Sequence, residues 1–161
     1  MAEVVAFETE VPFTSRGADL ARRLLRHHLA TAGTTQVVGE NALLVLHELV
    51  ANSLDHGFPC PNETLHLAWE TSPEAVVLRV TDHGPHPRCE RCHPHRAPAA
   101  GLPPVTADGA RLQVQQPELD APRGRGLLIV DGLSDRWEVT THAGATTVEV
   151  HLTTAADPKA G

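Results

Sequence analysis

Positive charge is scarce in this sequence. Thirteen lysines and arginines stand against twenty aspartates and glutamates in 161 residues, a formal charge of −7. Nonspecific nucleic-acid affinity comes from neutralising phosphates with cationic side chains, so this balance argues against direct binding to a nucleic-acid backbone. Also missing is any apolar run of about eighteen residues, the length that a membrane-spanning helix requires. The opening MAEVVAFETE begins on an acid and has no basic stretch leading into an apolar segment, so it does not read as an export signal. The expectation is a cytoplasmic protein with no membrane contact. Cysteine is sparse: Cys60, Cys89 and Cys92 are an odd number, and two of them form a CxxC. In a reducing compartment that pair suggests metal or redox chemistry before a structural disulfide framework. No internal repeat is visible.

The stretch Asn41 to Gly57, NALLVLHELVANSLDHG, organises the rest. Leu43, Leu46, Val50 and Leu54, with Ala42 and Leu49 beside them, recur at intervals of three and four, the spacing of a helix that buries one face. Glu48 and Asn52 lie one turn apart on another face, with Asp55 and His56 a turn further along. A carboxylate, an amide and an imidazole are thereby gathered beside a buried stripe. For any one of them a merely solvated helix face is the commoner outcome.

Taken in order, Val4 to Phe13 alternates as an edge strand ended by Pro12, and Thr14 or Ser15 caps a packing helix running to about Ala32. That helix turns Leu20, Leu24, Leu25 and Leu29 inward and stops at Gly33. The central helix starts near Thr35. Leu65, Leu67 and Trp69, then Val76, Leu78 and Val80, alternate as two paired strands. Between Gly84 and Arg123 eight prolines leave no room for a long regular element, and a loop of this length is usually functional or disordered. Gly126 to Leu133 reads as a short helix, and Trp137 to Leu152 as a closing hairpin that turns at His142 to Ala145. The expected fold is α+β: a two-layer sandwich with a mixed, mostly antiparallel sheet and helices on one face, forming a single domain over 1–154 with a disordered tail at 155–161.

Three fragments carry chemistry. Glu48-x-x-x-Asn52 lies on the central helix, Asp82-His83-Gly84 ends a strand, and Gly124-Arg125-Gly126 opens a helix. A buried acid at a strand end can accept a hydrogen bond from an exocyclic amine such as that of adenine, and a neighbouring glycine lets backbone approach the base. A GxG at a helix start offers free N–H groups to phosphate oxygens with the positive end of the helix dipole behind them. Asn52 can give Mg²⁺ a neutral oxygen, and Glu48 can orient or deprotonate an attacking hydroxyl or water. Each fragment alone is as readily an ordinary turn or joint. In this order they are more specific.

The ordered set resembles the Bergerat, or GHKL, ATP-binding fold, and within it the stand-alone anti-sigma-factor serine/threonine kinases. HELVANSLDHG is similar to that family's N box, VTDHGPHP to its first glycine box, RGRGLLIVDGLSDRWEV to its second and GATTVEVHL to its closing strand. The resemblance covers about Phe13 to Leu152. It implies an ATP- and Mg²⁺-dependent kinase with Glu48 as general base and Asn52 holding Mg²⁺ through ATP. It further implies that Asp82 reads the adenine amine with Gly84 beside it, that Gly124, Gly126 and Leu127 cradle phosphates with Arg125 among the nucleotide-binding residues, and that Thr146 joins Asp82 in a water-bridged adenine contact. His56 is counted among the nucleotide-binding residues. The implied partners are a sigma factor and a small antagonist protein that is phosphorylated; a homodimer is a further expectation, since the stand-alone kinases commonly dimerise.

The sequence departs from the family pattern in four places. Asp55 stands where relatives carry a basic residue, His86 stands where the first box has its second glycine, Thr146 follows Ala145 and not glycine, and the lid between the boxes, about 85–123, is long. That lid contains HPRCERCHPH, in which Cys89 and Cys92, with His93 and His95, have the makings of a Zn²⁺ knuckle. Free thiols or a reversible disulfide are the alternatives. The CxxCH string also matches haem attachment, which requires export and is set aside. Two further readings stand beside the kinase: a catalytically weak ATP-binding module that sequesters a partner, and a zinc- or thiol-responsive regulator acting through Cys89 and Cys92.

Overall fold

The structure, a computed structural model, describes residues 3–59, 62–83, 125–142 and 144–154. The elements run β1 (Val5–Pro12), α1 (Ser15–Thr31), α2 (Gln36–His56), β2 (Thr64–Thr71), β3 (Ala75–Asp82), α3 (Arg125–Leu133), β4 (Arg136–His142) and β5 (Ala145–Thr153). The proposed lid and tail lie outside the described residues.

The five strands form one sheet in the order β1-β2-β3-β5-β4, with β1 at an edge as its alternation predicts. Every pairing is antiparallel, so the sheet is a purer form of the mostly antiparallel one expected. Period-two alternation decides its faces. In β2, Leu65, Leu67, Trp69 and Thr71 turn inward; in β3, Val76, Leu78, Val80 and Asp82 do so. Onto that side pack α1, α2 and α3, and the shared core includes Leu25, Leu46, Trp69, Leu78, Val130 and Leu152. Asp82 is therefore the last member of an otherwise apolar inward row. An acid in that row is a local violation of the pattern that builds the sheet.

The helices differ from their expected faces in an instructive way. In α1, whose start is capped by the Thr14 hydroxyl accepting the Gly17 N–H at 3.3 Å, Ala21, Leu25 and Leu29 are buried while Leu20 and Leu24 are half-buried. In α2 the buried set is Val38, Gly39, Ala42, Val45, Leu46, Leu49, Val50 and Ser53, a broader band than the single stripe expected, with Leu43 and Leu54 only partly covered. The reason is that α2 is packed from two directions, by α1 and the sheet on one side and by α3 on the other. The second contact sets Glu48 and Asn52 against α3.

The opposite sheet face carries polar side chains tied to one another. Arg79 donates to Glu70 at 2.9 Å and also to Glu149, while His151 bonds Glu149 at 2.6 Å and the Thr81 and Thr147 hydroxyls meet at 2.8 Å. Burial opposes ionisation of Glu149, but its bonds with His151 and Arg79 outweigh that and hold its carboxyl below the usual range.

Where β1 and β2 meet α1, the Trp69 Nε1–H donates to His28 Nδ1 at 2.8 Å, and the His28 ring meets Phe7 edge-on at a centroid distance of 4.1 Å. The bond requires an unprotonated Nδ1, and burial together with neighbouring His27 lowers the His28 pKa below the ordinary 6.5. A folded-state pKa lower than the unfolded one means that unfolded chains bind more protons as the medium acidifies. Stability from this pair is thus present above about pH 6.5 and is lost as pH falls through the lowered value. Denaturant midpoints between about pH 8 and pH 5 should fall less steeply in His28→Gln, which keeps an acceptor for Trp69 and cannot titrate, than in the natural protein. Equal slopes would remove His28 from that role.

Candidate nucleotide site

The site is built along the second half of α2. Glu48 and Asn52, one turn apart, are both half-buried and face the first turn of α3. A Cβ placed on Gly126 would stand 2.7 Å from Glu48 Oε2 and 3.5 Å from Asn52 Oδ1. The missing side chain at Gly126 is what lets the two helices bring carboxylate, amide and bare backbone together. The leading N–H groups of α3 have no partners within the helix, which leaves donors beside that pair.

At the end of α2 a second close approach occurs. Gly57 follows the helix in extended backbone that any residue adopts, so its reason is space. A Cβ there would stand 2.5 Å from Asp82 Oδ2 and 2.7 Å from the Ser53 carbonyl oxygen. Asp82, 9% exposed, is pressed against this bare position at the end of β3. The His83 N–H donates to the Phe58 carbonyl at 3.0 Å, fixing the segment after the helix to the strand end. Across the sheet Asp82 pairs with Thr146 of β5, so the two side chains leave the sheet on its helix-facing side. From Glu48 to the helix end at His56 is about 12 Å at the rise of an α-helix. Acid and amide lie at one end of that span and the buried Asp82 at the other.

Glu48, Asn52 and Gly126 thus meet at one end of this stretch of α2, and Asp82, paired with Thr146, stands at the other. His56 and the adjacent Asp55 are exposed at the end of α2 and have no described contact with either group. Leu127 is half-buried in the first turn of α3. Gly84, Gly124, Cys89, Cys92, His93 and His95, together with the side chain of Arg125, lie outside the described residues, and with them the Zn²⁺ expectation; among the described residues no cluster of metal-ligating side chains occurs. Sequence reasoning missed Gly57 as a site residue, taking it only as the end of the central stretch. In the structure, a glycine directly after a helix with no positive φ to require it marks a neighbour pressing on it.

A family model describing the histidine kinase-like ATPase domain matches residues 11–152. The chain belongs to this family. Its five-stranded sheet with helices on one face is the fold of such domains, and an ATPase domain is a nucleotide-binding one. Among solved structures, the histidine kinase-like ATPase domain described here is similar to the crystal structure of the RsbU and RsbW domains of Rv1364c from Mycobacterium tuberculosis, with a TM-score of 0.59 and 16% identity. That match covers 92% of this chain and 32% of the other, so the chain spans about a third of the length of that protein. At this identity the likeness is one of fold. No curated protein matches the sequence. Among the described residues no helix is long and apolar enough to cross a membrane.

The donor set suits ATP. A buried carboxylate at a strand end is an acceptor for an exocyclic amine, a helix start with a bare glycine accepts phosphate closely, and a neutral amide oxygen suits a hard cation shared with phosphates. Asp82, Thr146, Asn52 and Gly126 are the residues that would hold the nucleotide.

Proposed function

We propose that this chain is an ATP-binding regulatory protein that acts as a serine/threonine kinase on a small antagonist protein and binds a sigma factor. The observation that carries the nucleotide half is the strip along α2, with Glu48 and Asn52 against bare Gly126 at one end and Asp82 against bare Gly57 at the other. Membership of an ATPase domain family supports it, and the likeness of the sequence boxes to the anti-sigma-factor kinases supports the partner half. Bound ATP with Mg²⁺ supplies the transferable γ-phosphoryl group. Asn52 offers the cation a neutral oxygen, Asp82 accepts from the adenine amine, and Glu48 takes the proton of the attacking hydroxyl.

Exposed Asp55, an acid one turn beyond Asn52, favours one neighbouring reading, in which the protein binds ATP and sequesters its partner without transferring phosphate. A nucleotide titration followed by a transfer assay on a candidate antagonist separates the two.

Titration of the protein with ATP, with and without Mg²⁺, tests the shared premise. ATP is expected to bind, and Mg²⁺ to tighten binding by roughly tenfold, the worth of one good charge-assisted contact. In Asn52→Ala that gain from Mg²⁺ should vanish while the metal-free affinity changes little. Absence of any ATP binding by the natural protein at millimolar nucleotide would end the proposal, and an undiminished Mg²⁺ effect in Asn52→Ala would remove Asn52 from its assigned role.

A further inference from the structure

Strand register extends the polar strip one strand further than the sequence boxes do. Asp82 of β3 pairs with Thr146 of β5, and Thr146 pairs in turn with Thr141 of β4. Paired residues share a face, so a carboxylate and two hydroxyls form one line across three strands on the side that α2 and α3 cover. The hydroxyl oxygen of Thr141 is buried and has no hydrogen-bond partner; it is the one buried side-chain polar atom so placed among the described residues.

This stands out against the rest of the chain. Thr34 and Ser72 bond backbone carbonyls at the α1–α2 and β2–β3 connections, Ser134 bonds the Val130 carbonyl, and Thr81 and Thr147 bond each other. Folded chains satisfy the large majority of buried side-chain polar atoms, and an unsatisfied one asks for an explanation. Packing does not supply it. The inward positions of β4 are Trp137, Val139 and Thr141, and valine, of the same shape and β-propensity, would fill the third without burying a polar atom.

We propose that Thr141 is a nucleotide-contacting residue whose hydroxyl is completed by the bound purine, donating to a ring nitrogen acceptor through one ordered water. This rests on the ATP-binding reading above and adds a contact to it. The chemistry along the row matches a purine edge in kind: Asp82 accepts from an amine, while Thr146 and Thr141 can donate to ring nitrogens. The purine and its bridging water would supply the partner that the Thr141 hydroxyl lacks within the protein.

The test compares Thr141→Val, which keeps shape and removes the hydroxyl, with Thr141→Ser, which keeps the hydroxyl. Both are titrated with Mg-ATP and with its 1-deaza, 3-deaza and 7-deaza analogues, and melted without nucleotide. Thr141→Val should melt at or above the natural protein yet bind ATP roughly three- to tenfold more weakly, the worth of one hydrogen bond. Thr141→Ser should stay within about twofold of the natural protein. One deaza analogue should lose affinity on the natural protein and lose nothing further on Thr141→Val, which identifies the acceptor. The proposal is overturned if Thr141→Val binds ATP as tightly as the natural protein. It is equally overturned if Thr141→Val melts lower without nucleotide, since the hydroxyl would then be satisfied within the protein. A flat titration of the natural protein itself would instead overturn the ATP-binding reading, an outcome distinguishable from equal, measurable affinities in the two proteins.

Discussion

Asp82→Asn is expected to lower ATP affinity by two orders of magnitude or more while leaving the protein folded. Asp82 is the last inward residue of β3, 9% exposed, and its carboxylate fills the space that bare Gly57 leaves. Asparagine has the same shape, so the packing against Gly57 and Ser53 survives. What changes is the polarity of the edge offered to the ligand. A carboxylate accepts at both oxygens, whereas an amide accepts at one position and donates at the other. A hydrogen bond to a charged acceptor is worth about 1.5–3 kcal/mol, and a donor left facing a donor in a buried site adds a desolvation cost of about 1–3 kcal/mol. Together these come to about 2.5–6 kcal/mol, against the roughly 2.7 kcal/mol of a hundredfold loss. The same change makes a sign prediction: guanine presents a carbonyl where adenine presents an amine, so the preference of the variant for ATP over GTP should shrink. Calorimetric titration with both nucleotides, beside a melting curve, measures all of this. A folded Asp82→Asn that binds ATP undiminished would mean that the purine is read elsewhere.

The sheet was legible because its signal is local. Alternation at Leu65 to Trp69 and Val76 to Val80 names both the strands and their inward faces, and the same alternation continued one step puts Asp82 inside. The helix faces were less legible. Period 3.6 predicts one buried stripe, but α2 is covered from two sides, and which residues lie under α3 depends on a contact with a segment more than seventy residues away in sequence. The site followed the same division. Glu48, Asn52, Asp82 and Gly126 could be named from motifs, since glycines and acids at element ends have few other uses in that order. Gly57 and Thr141 could not. The need for Gly57 comes from Asp82 pressing on it across the fold, and the significance of Thr141 comes from strand register and an unpaired hydroxyl, neither of which has any periodic trace. His56, which helical spacing placed one turn beyond Asn52, is exposed where the helix ends.

Glu48→Gln should separate chemistry from binding. Its carboxylate lies beside Gly126, where a Cβ would come within 2.7 Å of Oε2, and so stands at the start of α3 where phosphate would be held. In transfer to a serine or threonine hydroxyl, the bond from the hydroxyl oxygen to the γ-phosphorus forms as the bond to the β–γ bridging oxygen breaks; ADP leaves, and the hydroxyl proton must go to an acceptor. Glutamate accepts it, and glutamine of equal size does not. Loss of a general base typically costs about 10²–10⁴ in rate. Single-turnover phosphorylation of an antagonist protein by Glu48→Gln should therefore slow by about that factor, while ATP affinity, measured on the same preparation, should change by less than about threefold, because Asp82, Asn52 and the α3 start are untouched. The two readouts decide between roles that geometry alone leaves adjacent. A variant that loses ATP affinity in proportion to rate would make Glu48 a phosphate- or cation-positioning residue, since it would then act on the ground state and transition state alike. A variant that transfers phosphate at the natural rate would show that the proton has another acceptor and that the carboxylate beside Gly126 serves only to hold α2 against α3.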